Sequence, residues 1–68
     1  PRNVNNQFYF YLGLEYYNRC LELHRRSLPP THHLIPDTLN NIGATYSSMG
    51  KWKECADVLE EALQVDME

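Results

Sequence analysis

The side chains in this sequence best suited to bond-making chemistry are Cys20 and His24, which stand four residues apart. On a helix that spacing puts a thiolate and an imidazole on one face, where both can reach a tetrahedral cation such as zinc. His32, His33 and Cys55 supply further ligand types elsewhere. Packing is the competing explanation. Cys20 falls in a slot that wants a small residue, and free cysteine is commonly buried as a small hydrophobe. That explanation is preferred, so neither a metal nor any other cofactor is expected. A second group is acidic: Glu54, Asp57, Glu60, Glu61 and Asp66. Such a run on one helix is ordinarily a solvated face, although a basic partner or the Arg-rich end of another copy could dock on it. No glycine-rich phosphate loop and no nucleophile-bearing strand-to-helix turn accompanies these groups. Enzymatic chemistry is therefore not expected.

Aromatic side chains form a third group. Phe8, Tyr9, Phe10, Tyr11, Tyr16 and Tyr17 are six of the eight aromatics in the chain. They run round more than one face of the helix that must carry them. Phe10 and Tyr17 suit its core stripe, and the rest exceed what three short helices can bury. A neighbouring helix that precedes them in a longer array is the favoured cover; a self-association or partner surface is the alternative.

The elements that position these groups are all helical. From about Gln7 to Ser27, Phe10, Leu14, Tyr17, Leu21 and His24 recur at helical spacing. Arg25 and Arg26 fall in the last turn, at the negative end of the helix dipole. Pro29 and Pro30 end the helix. Residues Pro1 to Asn6 are polar and Asn-rich, and read as a loop or a remnant of an earlier element. After Thr31, His32 and His33, Pro36 fits the first turn of a second helix, where its missing N–H costs nothing. Ile35, Leu39, Ile42, Tyr46 and Met49 make that helix's apolar stripe, with Asn40, Asn41, Ser47 and Ser48 opposite. Gly50 is placed to cap it in the left-handed conformation. A third helix from about Lys51 to Val65 carries Trp52, Cys55, Leu59, Ala62 and Leu63 on one face. No strand pattern occurs.

Composition sets limits. Sixty-eight residues can bury only about 60% of the unfolded surface, and two cysteines are too few for a disulfide framework. The formal charge is −3, which argues against a basic nucleic-acid surface. No apolar run approaches the roughly 20 residues of a membrane span. The charge is uneven. Residues 1–27 carry Arg2, Arg19, Arg25 and Arg26 against Glu15 and Glu22, a net of +2. Residues 51–68 carry Lys51 and Lys53 against Glu54, Asp57, Glu60, Glu61, Asp66 and Glu68, a net of −4. Free thiols and the lack of a targeting pattern lead to the expectation of a reducing, cytoplasmic setting.

Phe10 to Leu23 (FYLGLEYYNRCLEL) is echoed by Trp52 to Val65 (WKECADVLEEALQV), 42 residues later. A helical unit recurring at a fixed spacing marks an α-solenoid. Small residues fit that reading. Gly43 sits inside a helix, where it costs about 1 kcal/mol relative to Ala, and so points to a close helix–helix approach. Cys55 and Ala62 would face it. The same logic extends to Gly13 and Cys20 at the 42-residue offset.

These residues resemble a tetratricopeptide repeat. The family's packing roles fall on Leu39, Ile42, Gly43, Tyr46, Cys55, Leu59 and Ala62, with Gly50 at the turn. Cys55 stands where Ala is usual, and the closing Pro has no match before Glu68. The 42-residue spacing, with GLEYYNRCLEL, His32, TLNNIGATY and GKWKEC, looks like the subclass found in kinesin light chains and related cargo adaptors. His33 stands where that subclass usually has Pro. The resemblance implies an all-α fold of three antiparallel helices, a piece of a superhelix cut from an array. Residues 7–27 would be the second helix of one repeat and 34–66 a complete hairpin of the next. It also implies a groove wall of Asn40, Ala44 and Ser47, flanked by Asp37 and Ser48. The Asn40 amide would offer a donor and an acceptor to an extended peptide; ordinary solvated helix positions are the alternative. The function implied is non-catalytic binding of a protein or short linear peptide in an adaptor or scaffold. A structural spacer or self-assembly unit, and a regulatory appendage of an enzyme, are the alternatives. Self-association would run through the aromatic first helix, and neither nucleic acid nor membrane is an expected partner.

Overall fold

Two prolines and one glycine divide the chain into three helices. The computed structural model describes the backbone of residues 2–65 and the side chains of residues 7–65. Helix α1 spans Arg2–Ser27, α2 spans Leu34–Ser48 and α3 spans Trp52–Leu63. No strand occurs among the described residues. The Cα atoms extend 45 × 21 × 12 Å. Helix α2 is the central element, packed against both α1 and α3.

Helix α1 starts earlier than the Asn-rich composition of residues 2–6 suggests. No Gly or Pro interrupts the run from Arg2 to Leu12, and extending an existing helix adds one hydrogen bond per residue fixed. Modest Asn propensity does not offset that gain. His24, Arg25 and Arg26 occupy the last turn. The Leu28 N–H donates to the His24 carbonyl at 2.8 Å before Pro29 and Pro30 stop the helix. The connection then turns through His32, whose N–H donates to the Pro29 carbonyl at 3.0 Å.

Helix α2 begins with Leu34, so Pro36 is its third residue. The first α-type bond runs from the Asp37 N–H to the His33 carbonyl at 3.1 Å. Pro36 thus sits where an N–H would have no intrahelical acceptor. At the other end Gly50 has φ +76°. The Gly50 N–H donates to Ser47 at 3.0 Å and the Lys51 N–H to Tyr46 at 2.9 Å, the paired bonds of a Schellman cap. No atom lies within 4 Å of a Cβ built on Gly50, so a side chain there meets only backbone strain. Gly50→Ala is expected to cost about 1–2 kcal/mol, seen as a lower urea midpoint at unchanged slope. An unchanged midpoint would contradict the cap.

The core lies along α2. Ile35, Leu39 and Ile42 are buried there with Leu14 and Leu21 of α1, and Tyr17, Tyr46, Met49, Val58, Ala62 and Val65 pack round them. The apolar positions of α3 divide between two sides. Cys55, Val58, Ala62 and Val65 are half-buried toward α2, whereas Trp52 and Leu63 are 68% and 86% exposed. The apolar face expected on α3 thus has a packed edge and an exposed one, because it is wider than a single neighbouring helix can cover.

Candidate functional site

Residues of both α1 and α3 pack round the Ile35, Leu39 and Ile42 face of α2, which leaves a single open stripe on its other side. Asp37, Asn40, Asn41, Ala44 and Ser48 are all exposed. At about 100° per residue they fall on one side of the helix, opposite Ile35, Leu39 and Ile42. Ser47 lies at the edge of the stripe and is half-buried. The stripe is polar and carries no bulky residue, because every large apolar side chain of α2 from Ile35 onward packs into the core.

Local bonds hold part of this surface. The Asp37 carboxylate sits 3.2 Å from His33 Nδ1 at the start of α2, where a negative charge also suits the helix dipole. His33 stacks on His32 with ring centroids 4.7 Å apart, and His32 Nδ1 accepts from the Leu34 N–H at 3.2 Å. Thr45 Oγ1 donates to the Asn41 carbonyl at 2.9 Å. Among the described residues no side-chain hydrogen bond engages the Asn40 or Asn41 amide. Each therefore keeps two donors and an acceptor directed to solvent.

Of the packing residues, Leu39 and Ile42 are 1% and 3% exposed, and Gly43 is buried. Tyr46, Cys55 and Ala62 are half-buried. Leu59 is 39% exposed, yet it crosses the seam. A Cβ built on Gly43 would lie 2.9 Å from Leu59 Cδ2 and 3.9 Å from the Cys55 carbonyl oxygen. Gly13 differs: nothing described lies within 4 Å of its built Cβ. The expected close approach at Gly13 is therefore not made by α2 or α3.

The other chemistry-bearing groups do not converge. Among the described residues no group of three or more His, Cys, Asp and Glu is placed to hold a metal ion. Cys20 and Cys55 are free and half-buried. The Cys20 thiol, one turn from Tyr16, holds that phenol above its ordinary pKa. Two acids of α3 engage separate cations: Asp57 meets Lys53 Nζ at 3.1 Å, and Glu61 pairs with Arg25. Asp66 lies outside the described residues. The Arg25–Glu61 contact joins α1 to α3 across the end of α2, beside a shallow cleft of about 370 Å³ lined by Pro30, Ile35, Gln64 and Val65. Sequence spacing gives no sign of this pair, since its members are 36 residues apart. No described helix is long and apolar enough to cross a membrane.

Three successive helices joined by short turns, the central one packed against both others, are the arrangement of an α-helical repeat. The profile of the tetratricopeptide repeat family matches residues 10–68, and the chain belongs to that family. No curated protein and no solved structure matches it. Tetratricopeptide repeats generally mediate protein–protein interaction and are not catalytic.

Proposed function

We propose that the chain is a peptide-recognition segment of an adaptor or scaffold, with the open stripe of α2 as its contact surface. The observation that carries this reading is the exposed row Asp37, Asn40, Asn41, Ala44 and Ser48 on a helix otherwise packed against α1 and α3. A helix so held presents its polar side chains on a rigid backbone, which lowers the ordering cost of binding. Small residues at positions 44, 47 and 48 leave room for a ligand main chain, and Asn40 offers it both a donor and an acceptor. In this reading α1 is the second helix of one repeat, and α2 with α3 forms the complete hairpin of the next. The 42-residue echo and the TLNNIGATY string support placement in the kinesin-light-chain-like subclass. They also support a short linear motif as ligand, while the free thiols of Cys20 and Cys55 support a cytoplasmic setting.

Selection from a randomised peptide library displayed on phage tests the reading. Peptides selected on the native chain are expected to lose at least about tenfold in affinity, roughly 1.4 kcal/mol, on Asn40→Arg, with helical circular dichroism unchanged. Equal binding by the variant would remove Asn40 from the surface. Failure to select any peptide would favour a spacer role.

A further inference from the structure

Asp37 is the one charged side chain in the exposed row Asp37, Asn40, Asn41, Ala44 and Ser48. Its neighbours in the row are neutral amides, a methyl group and a hydroxyl. Whatever lies on the stripe therefore meets a single negative charge, in the first turn of α2. That charge is held differently from those of the other paired acids. Glu15 meets Arg19 at 3.0 Å, Glu22 meets Arg26 at 3.1 Å, Asp57 meets Lys53 at 3.1 Å, and Glu61 pairs with Arg25. Asp37 faces His33, which is charged only when protonated, at 3.2 Å. Glu54 and Glu60 also stand outside the Arg and Lys pairs, but they belong to α3 and not to the stripe.

Half of this carboxylate is open to a ligand. The contact with His33 engages Oδ2, and among the described residues nothing hydrogen-bonds to Oδ1. The side chain is 61% exposed. An ionised carboxylate accepts at both oxygens, so a cation can meet Oδ1 with the His33 contact intact. Asn40 follows three residues later, which puts its Cβ roughly 5–6 Å from that of Asp37 on the same helix surface. An extended peptide advances about 3.3 Å per residue. A ligand whose main chain meets the Asn40 amide thus brings a side chain to Asp37 from one or two positions away. No Arg or Lys lies on the stripe to repel a cation, and the formal charge of −3 favours its approach.

Granted the stripe as a peptide contact surface, we propose that it selects a basic peptide: a short extended segment with one lysine or arginine, whose cation meets Asp37 Oδ1 while its main chain meets the Asn40 amide. Asp37 is then the residue that reads the ligand's charge. An acidic ligand residue at the same place is rejected by like charge. Asn41, Ala44 and Ser48 carry no charge and impose no second charge requirement. The ion pair stays partly exposed, so its contribution is modest and screened by salt. It discriminates between peptides and does not supply most of the affinity.

Selection from one randomised phage library on the native chain and on Asp37→Lys tests it, in buffer at about pH 8, the upper end of the range in which histidine ordinarily changes charge. Peptides from the native chain should share a lysine or arginine at one fixed position, and those from Asp37→Lys an aspartate or glutamate there. A synthesised native-selected peptide is then titrated by fluorescence anisotropy. Asp37→Asn in the chain, or glutamine for the basic residue of the peptide, should each weaken binding about five- to tenfold. Both changes together should cost little more than either alone, and only the unchanged pair should lose affinity with added salt. Asp37 is exposed, so helical circular dichroism is expected to stay native in both variants. Selected peptides without a common basic position, or two losses that simply add, would overturn the proposal and leave the stripe a contact surface that reads no charge. A native chain that selects no peptide at all would overturn it together with the contact surface itself, so the two failures are told apart.

Discussion

Leu39→Ala is expected to lower stability by about 2–5 kcal/mol and to leave much of the chain unfolded at 25 °C. Leu39 is 1% exposed, the deepest side chain described. It sits on the central helix, between Leu14 and Leu21 of α1 and the half-buried residues of α3. Truncation removes its buried methyl groups and leaves a cavity that two separate helices border, so neither can collapse into it alone. A chain of 68 residues has small reserves, because domains of this size bury only about 60% of their unfolded surface. The loss is therefore comparable to the whole stability of a marginal domain, about 5 kcal/mol at the low end. Leu63→Ala is the matched control. Leu63 is 86% exposed, and its truncation should stay within about 0.5 kcal/mol. Urea unfolding followed by circular dichroism distinguishes the two. Equal midpoints for Leu39→Ala and Leu63→Ala would mean that α2 is not the centre of the fold.

Most of the fold was legible because its boundaries are set locally. Pro29 and Pro30 end α1 by removing N–H donors, and Gly50 ends α2 by adopting φ +76°. Gly43 was legible as a contact because a glycine inside a helix carries a propensity cost that close packing can justify. What escaped the sequence depends on neighbours. The asparagines at the start of α1 suggest a loop or a remnant of an earlier element, but helix continuation is cooperative and outweighs their modest preference. On α3, Trp52, Leu59 and Leu63 share an apolar stripe with Cys55 and Ala62, and spacing cannot tell which edge of the stripe α2 will cover. Gly13 matches Cys55 at the 42-residue offset, yet nothing described approaches it, since the echo carries over the residue pattern and not the neighbour.

The candidate site was legible to a lesser degree, for a physical reason. Exposure of Asn40, Ala44 and Ser48 follows from their phase against Leu39 and Ile42, which a sequence displays directly. Ser47 is half-buried, because its phase puts it at the margin between the open stripe and a packed side. The Arg25–Glu61 bridge was invisible, as it requires the Pro29–Pro30 turn to bring the end of α1 beside α3. Uncharged polar side chains on an open helix also offer no buried donor to mark them as binding groups, so a ligand's identity leaves no local trace on them.

Gly43→Leu is expected to destabilise the chain by about 1–3 kcal/mol, and Leu59→Ala in the same chain should return part of that loss. The first added carbon would lie 2.9 Å from Leu59 Cδ2 and 3.2 Å from Leu59 Cγ. A leucine side chain adds three more carbons to the same seam between α2 and α3. Leu59 is 39% exposed, so its tip can swing outward, but its Cγ stays tied to the α3 backbone. Helix propensity works in the opposite direction, since removing an interior glycine gains up to about 1 kcal/mol. For Gly43→Ala the two effects nearly cancel, and the net change should be within about 1 kcal/mol. For Gly43→Leu the added bulk wins. The double variant separates crowding from any general dislike of leucine at this position. If crowding against Leu59 is the cause, the cycle should show a favourable coupling of about 0.5–3 kcal/mol. Strict additivity, or a Gly43→Leu chain as stable as the native one, would mean that α2 and α3 have room to separate and that the glycine is not what sets their distance.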